Sequence, residues 1–407
     1  QVKLPNGTTV SNHIFCDTSK PIKYKTSDYK TSHSNFGNAY HVANSNWQSI
    51  HNPIDKNMLI YGATLTPDVM FQSIDEQYYN RSKQKSNTIP LRNFHNLYVK
   101  SALIAAVAEK QHETSLLDLA VGKGGDMNKW IQSKLKAVLG IDIAYDNIHN
   151  NSDGACARYI DLQEKHQRLP ICMFIHGDTS RRMDNGDFEF QESQEDEEDS
   201  KLPGSYTILQ ALMGSSHTPK SQMSVPFLIQ NYGLFKDKFD VCSIQFALHY
   251  MFESKEKLHN FLTNVSQYTK TGKYFIGTCY DGKKIYDLLK EKQEGEMVEL
   301  YENDTKIWHI KKKYNDDLMT FYNDDDSSLG KTISVYQESI NQEFDEYLVN
   351  FDYFVRIMED YGFILADNMK LGAIGSFETL FDDMKKEKRS KSYGLAYEMT
   401  ENEKKIS

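Results

Sequence analysis

Leu116-Leu117-Asp118-Leu119-Ala120-Val121-Gly122-Lys123-Gly124-Gly125-Asp126 reads as an apolar strand running into a glycine-rich turn, and Met127-Asn128-Lys129-Trp130-Ile131 opens a helix behind it. Glycines in such a turn reach positive φ and let the backbone approach a bulky ligand closely. After a second apolar run, Ile141-Asp142-Ile143 puts a carboxylate at a strand end, where it can accept hydrogen bonds from a ribose diol. The pattern fits a nucleoside cofactor, and nicotinamide, flavin and S-adenosylmethionine enzymes all use it. A pyrophosphate would face the helix N-terminus, and Asp126 at that point would repel it. S-adenosylmethionine carries a sulfonium and an ammonium and no phosphate, so Asp118 and Asp126 suit it better. Both acids could instead cap or order the loop.

The surrounding sequence extends the same alternation. Helical spacing of apolar residues from Phe94 to Glu109 precedes strand-like runs at 115–119, 137–142, 171–176, 239–244 and 273–279, with helices expected at 255–268 and 283–292. Such alternation predicts an open α/β sheet. After residue 300 the pattern turns antiparallel, with strands expected around Trp308-His309-Ile310, Met319-Thr320-Phe321-Tyr322 and Thr332-Ile333-Ser334-Val335-Tyr336. A helix at 350–361 and a strand at 363–367 are expected to close the domain. Asp184 to Asp199 holds nine acidic side chains and no basic ones; with the stretch to Pro226 it reads as a solvated insertion, 184–226, between sheet units. Residues 1–90 are polar and weakly periodic, with short packed elements expected at Trp47–Pro53 and Met58–Gly62.

A chain of 407 residues with 39% hydrophobic residues, 25 Tyr and 21 Phe is long enough for two or three domains. The net charge of −10 argues against broad nonspecific nucleic-acid binding, although the acidic run can mask a local basic groove. Five scattered cysteines without a CxxC pair give neither a disulfide framework nor a zinc site, so no metal is expected and a reducing, intracellular setting is. No apolar run has the length of a membrane span. The basic tail around Lys385, Lys386 and Lys388 reads as a solvated helix face.

Two further segments place chemistry at the same sheet edge. Phe174-Ile175-His176-Gly177-Asp178-Thr179-Ser180 ends a strand in an acid that can meet an adenine amino group or simply close an Asx-turn. Phe239-Asp240-Val241-Cys242-Ser243-Ile244-Gln245-Phe246-Ala247-Leu248-His249-Tyr250 ends a strand in groups that can offer a hydrogen bond and a π-face to a purine.

The strings LLDLAVGKGGDMNKW, GIDIA, GDTS, FDVCSIQFALHYMFES and GKYFIGT resemble the mRNA cap guanine-N7 methyltransferase family over about 92–381. The Tyr280-Asp281-Gly282 turn resembles its large-DNA-virus branch, where the enzymes are multifunctional. The resemblance implies a Rossmann-like S-adenosylmethionine-dependent methyltransferase sheet with helices on both faces over 91–407, extended by antiparallel β at the cap pocket. It further implies that residues 1–90 are an N-terminal extension or a linker from a preceding capping module, a triphosphatase or guanylyltransferase, with action on capped RNA in the host cytoplasm or virion. Carried over residue by residue, Lys100, Asp118, Ala120, Gly122, Asp126, Asp142, Asp178, Gln245 and Tyr250 are expected to bind the cofactor. Asn96, His249, Tyr250, Glu346 and Phe381 are expected to bind the cap. His249, Tyr250 and Glu346 are the expected catalytic set, acting by positioning. Three departures stand out. Ala120-Val121 replaces Gly-Cys, one extra residue lies between Arg92 and Lys100, and Phe381 or Phe377 stands in for a late stacking tyrosine.

Guanine N7 already presents a lone pair, so this methyl transfer needs orientation and electrostatics rather than a general base. The competing assignments are a methyltransferase for another base or small molecule, a noncatalytic cap- or RNA-binding module, and, last, a nicotinamide oxidoreductase.

Overall fold

The computed structural model describes residues 2–3, 9–10, 87–108, 113–190, 203–302, 304–315, 319–338, 342–366, 377–386 and 390–406. The chain divides into two units, Gln1–Val69 and Met70–Ser407. The first unit holds a two-stranded antiparallel ladder, Val2–Lys3 with Thr9–Val10. The elements expected at Trp47–Pro53 and Met58–Gly62 lie outside the described residues.

The second unit is built on five parallel strands: β1 (Ser115–Asp118), β2 (Ala137–Asp142), β3 (Ile171–His176), β4 (Phe239–Gln245) and β5 (Thr269–Thr278). Their spatial order is β3-β2-β1-β4-β5. The order reverses between β1 and β4, and in open α/β sheets the crevice at such a switch, beyond the carboxyl ends, holds the ligand. Every residue of β1, β2 and β4 is buried, as expected for strands covered on both faces. Adjacent residues accordingly serve different cores. Leu117 packs with Leu209, Phe261 and Leu262 of α6 (Ser205–Met213) and α7 (Lys255–Tyr268). Leu116 packs with Ile104 of α2 (Lys100–Val107), Trp130 of α3 (Met127–Gln132) and Ala155 of α5 (Ala155–Lys165). Before them α1 (Ile89–Asn93) leads toward α2, and α4 (Tyr145–His149) lies between β2 and α5 in the chain.

A second sheet follows, antiparallel in the order β9-β8-β7-β6, from β6 (Met297–Glu302), β7 (Thr305–Lys312), β8 (Thr332–Gln337) and β9 (Gln342–Tyr347). Its own core gathers Ile307, Ile310, Ile333 and Val335 against Leu91, Phe94 and Tyr98. Helices α8 (Gly282–Leu288), α9 (Phe351–Asp360), α10 (Phe377–Lys386) and α11 (Glu401–Ile406) complete the unit.

Four expectations are corrected. The helix predicted as continuous from Phe94 to Glu109 begins with a wide turn at Phe94–Val99. Thr320–Tyr322 forms a short 3-10 turn instead of a strand, with Met319 left-handed at φ 50. Residues 363–366 are not a strand. Nor is 184–226 one solvated insertion. Phe188 is fully buried, its carbonyl accepts from the Asp178 N–H at 2.8 Å, and α6 sits in the core. The acidic residues 191–202 lie outside the described part.

One glycine welds the two sheets. A Cβ on Gly282 would stand 2.3 Å from the Val349 carbonyl oxygen, where β9 hands over to α9. Backbone cannot yield as a side-chain tip does, so Gly282→Ala is expected to lower stability by about 1–3 kcal/mol. Urea unfolding with an unchanged slope would measure it; unchanged stability would show that the weld is absent.

Candidate active site

The glycine-rich turn holds its shape through backbone geometry. Gly122 and Gly124 carry φ of 54° and 69°, whereas neither Ala120 nor Val121 has a positive φ. Val121 is 6% exposed and turns into the core, filling the space above Gly140, where a Cβ would meet its Cγ2 at 2.8 Å. The two departures from Gly-Cys therefore fall where a side chain costs nothing.

Asp126 begins α3 without capping it, since its side chain takes no helix N–H. Its carboxylate pairs with Lys100 Nζ at 3.2 Å and Lys129 Nζ at 2.7 Å. Burial works to raise its pKa, and the Lys100 and Lys129 ammoniums outweigh that and hold it lowered. Lys129, three residues on, is a member of the site that the sequence reading left out. Lys123 is similarly tied, to Asp153 at 2.8 Å and Asp146 at 3.1 Å, which anchors the turn to the segment after β2.

Asp118 ends β1, 2% exposed. No lysine or arginine pairs with it among the described residues, and burial, then the charge of Asp126, pushes its carboxyl up to about 7. Such a group gains from a nearby cation. Asp142 ends β2 and accepts three hydrogen bonds: from Gly122 N–H at 2.6 Å, Ala144 N–H at 3.0 Å and Asn147 Nδ2 at 2.9 Å. A carboxylate has about four acceptor directions, so Asp142 retains one beyond these three while clamping the turn to β2. Asp178, after β3, closes the Asx-turn foreseen as the simpler alternative. Its Oδ1 accepts from the Ser180 N–H and hydroxyl, and its Oδ2 lies 3.3 Å from Arg181 Nε. Gln245, at the end of β4, is held between Ser243 Oγ and Thr278 Oγ1 at 3.1 Å each.

The next residue, Phe246, is left-handed at φ 58, and its N–H donates to Thr278. Lys100 Nζ lies 5.3 Å from its ring centroid and the His95 ring 5.2 Å from it. His249 follows in the turn Leu248–Glu253, beside Tyr250 with centroids 4.3 Å apart. Across from it stands Glu346, which β9 presents opposite Ile333. His249 Nε2 and Glu346 Oε2 are 3.7 Å apart, and neither that oxygen nor either imidazole nitrogen has a hydrogen-bond partner among the described residues. Burial holds the imidazole down to about 3 and pushes the carboxyl up to about 8, so the pair is neutral near pH 7 and is no ion pair. Tyr280 joins it. Burial and then the Glu346 charge raise its phenol above the ordinary range, a neighbour that no motif announced.

The remaining expected cap residues stand differently. Asn96 donates Nδ2 to the Arg92 carbonyl at 3.1 Å on an exposed face. Phe381 packs edge-on against Phe94 with centroids 5.7 Å apart and carries Lys385 and Lys404 over its ring at 4.2 and 5.0 Å, which leaves little open face for a stacked base. The Phe377 side chain lies outside the described residues.

The donor set fits a cationic nucleoside. Three carboxylates, Asp118, Asp126 and Asp142, stand at the ends of adjacent strands and the following turn, and two of them, Asp118 and Asp142, are buried without a lysine or arginine partner among the described residues.

The family model for the mRNA (guanine-N(7))-methyltransferase domain matches residues 70–196 and 221–405. The chain is 26% identical over 340 residues to the probable mRNA-capping enzyme of Acanthamoeba polyphaga mimivirus, covering 80% of this chain and 26% of that one. Identity is 29% over 306 residues to the mRNA cap guanine-N(7) methyltransferase of Debaryomyces hansenii, covering 72% and 51%. It is 26% over 332 residues to that of Schizosaccharomyces pombe, covering 79% and 72%. The chain thus spans about a quarter of the mimivirus relative and about half of the Debaryomyces one. Among solved structures, the CcbJ methyltransferase from Streptomyces caelestis aligns with a TM-score of 0.37 at 10% identity, covering 67% of this chain and 86% of that one.

Proposed function

This chain belongs to the mRNA (guanine-N(7))-methyltransferase family, and we propose that it transfers a methyl group from S-adenosylmethionine to N7 of the terminal guanine of capped RNA. The observation that carries the substrate assignment is the buried Glu346–His249 pair, whose facing polar atoms find no hydrogen-bond partner among the described residues. Guanine presents two adjacent donors, N1–H and the exocyclic amine, and an ionised carboxylate is the matching acceptor pair. His249, neutral and donor-capable, and the ring of Tyr250 complete the positioning of the base.

S-adenosylmethionine supplies an electrophilic methyl group, and the chain's own contribution is to hold the attacking nitrogen in line with it. Lys100 and Asp126 set charges for the amino-acid end, Asp118 favours positive charge nearby, and Asp142 keeps an acceptor for the ribose. No residue has to remove a proton from N7, so positioning, worth on the order of 7–11 kcal/mol, together with fixed electrostatics, accounts for the catalysis. Methylation makes the purine cationic, and an ionised Glu346 then stabilises the developing charge.

We further infer that the chain is the methyltransferase part of a multifunctional capping polypeptide. Its similarity to one quarter of the mimivirus capping enzyme supports this. Initial rates with GpppA-capped RNA, free GTP and uncapped triphosphate RNA test the substrate class. Methylation of the capped RNA far above the other two is expected; preference for free GTP would assign a small-molecule substrate instead.

A further inference from the structure

Parallel strands place all their carboxyl ends on one edge of the sheet and all their amino ends on the other. The site described above occupies the carboxyl edge, and the amino edge carries a different chemistry. Lys134-Leu135-Lys136 leads directly into β2 and Lys236-Asp237-Lys238 directly into β4, the two strands that flank β1. Strand register puts Ser115 opposite Ala137 and Leu116 opposite Val241, so Lys136 and Lys238 stand on either side of the same end of β1. Arg168 precedes β3, and Lys270 and Lys273 lie in the first turn of β5. With neighbouring strands about 4.8 Å apart, the row runs for about 19 Å from β3 to β5.

Most of these cations are unpaired. Lys134, Lys136, Arg168, Lys236 and Lys238 are exposed and have no carboxylate within ion-pair distance among the described residues. Lys270 and Lys273 instead meet Asp240, at 3.0 and 3.8 Å, which also accepts from the Ser115 N–H and hydroxyl. Two exposed acids, Glu113 and Asp237, share the edge. The lysines around the cofactor turn and on the second sheet differ, since Lys100, Lys123, Lys129, Lys311 and Lys313 each hold a carboxylate. Backbone geometry marks the same positions. Lys134 and Lys238 have φ of 53° and 65°, a region that glycine enters freely and a residue with a Cβ enters at a cost. A row of exposed, unpaired cations recognises evenly repeated negative charge, and a phosphodiester backbone supplies it. The net charge of −10 excludes a broad cationic face and leaves room for one local strip.

We propose that the amino edge of the parallel sheet binds the body of the RNA, gripping phosphates of the transcript well beyond the cap without regard to sequence. The inference rests on the cap reading and extends it from the terminal nucleotide to the chain that follows. The seven residues of β4 separate the edge from the crevice by about 23 Å. The strip therefore adds nothing for a cap dinucleotide and adds contacts for a transcript long enough to pass around the sheet.

The test compares GpppA with a capped RNA of about 20 nucleotides, longer than a typical single-strand site. It uses the full chain, Lys136→Glu/Lys238→Glu, and a control of equal charge change elsewhere, Lys220→Glu/Lys290→Glu. At low salt the native chain should show KM about tenfold lower for the long RNA than for GpppA. The edge variant should erase that advantage and leave KM for GpppA and for S-adenosylmethionine within about twofold, and the control should keep the advantage. Fluorescence anisotropy of an uncapped RNA of the same length reads the strip without methyl transfer. Its affinity should fall with salt at a logarithmic slope of about −3, for four to five phosphates, and DNA of that length should compete. A long RNA bound no better than GpppA would overturn the strip and assign the edge to an acidic protein surface. Equal losses in the edge and control variants would overturn it too, by making overall charge the cause. Edge-dependent RNA binding by a chain that methylates neither GpppA nor capped RNA would overturn the cap reading and leave the strip standing.

Discussion

Glu346→Ala is expected to lower kcat/KM for capped RNA by about 10²-fold while the affinity for S-adenosylmethionine stays within twofold. The carboxylate would accept two hydrogen bonds from the guanine edge, and charged hydrogen bonds are worth about 1.5–3 kcal/mol each. Their loss is felt only by the base, because Glu346 stands on β9 in the second sheet, while Asp118 and Asp142 end strands of the first. Isothermal binding of the cofactor beside steady-state rates on capped RNA separates the two effects. Parallel loss of both would mean that Glu346 supports the fold and not the base.

The same residue predicts a pH dependence. Burial lifts the Glu346 carboxyl from its ordinary 4.5 to about 8 in the free protein, yet guanine's two donors require it ionised. At saturating cofactor, cap affinity should rise as pH increases, by about tenfold per unit below pH 8, and level off above it. His249, held near 3, does not titrate in this window, and Glu346→Gln should flatten the profile. Stability runs the opposite way. The native state holds a proton that an unfolded glutamate has already released, so this group's contribution falls as pH rises from about 4.5 to about 8.

Asp142→Ala should weaken S-adenosylmethionine binding by at least about 10²-fold. It removes an acceptor for the ribose and also strands the Gly122 N–H, which Asp142 binds at 2.6 Å. An orphaned buried donor costs about 1–3 kcal/mol, and here the cost falls on the turn that must hold the cofactor. Binding of a cap analogue alone should be nearly unaffected. Equal weakening of both ligands would contradict a division into two sites.

The parallel sheet was legible because buried strands are continuous apolar runs. The expected 137–142 and 171–176 coincide with β2 and β3, and 255–268 with α7. The antiparallel part was harder to read. Met297–Glu302 and Gln342–Tyr347 carry too many polar residues to announce strands, since both are half-exposed edges of the second sheet. Aromatic content misled at Thr320–Tyr322, where Phe321 is buried by a tight turn.

At the site, the acids and the His249-Tyr250 string were visible because strand ends declare themselves locally. What no local pattern reveals is a contact made across elements, such as Tyr280 near Glu346 or Lys129 on Asp126. The extra residue between Arg92 and Lys100 was visible as a count. Its meaning emerged only from the wide turn at Phe94–Val99, which lengthens one turn of helix and leaves Lys100 facing Asp126.

Methyl transfer to N7 of the cap guanine is the central claim, and identifying the product tests it most directly. Labelled S-adenosylmethionine and GpppN-capped RNA, followed by nuclease digestion and separation of the cap, should yield the label entirely as 7-methylguanosine in the cap dinucleotide. Label on a ribose, on an internal base or on no nucleotide at all would contradict it.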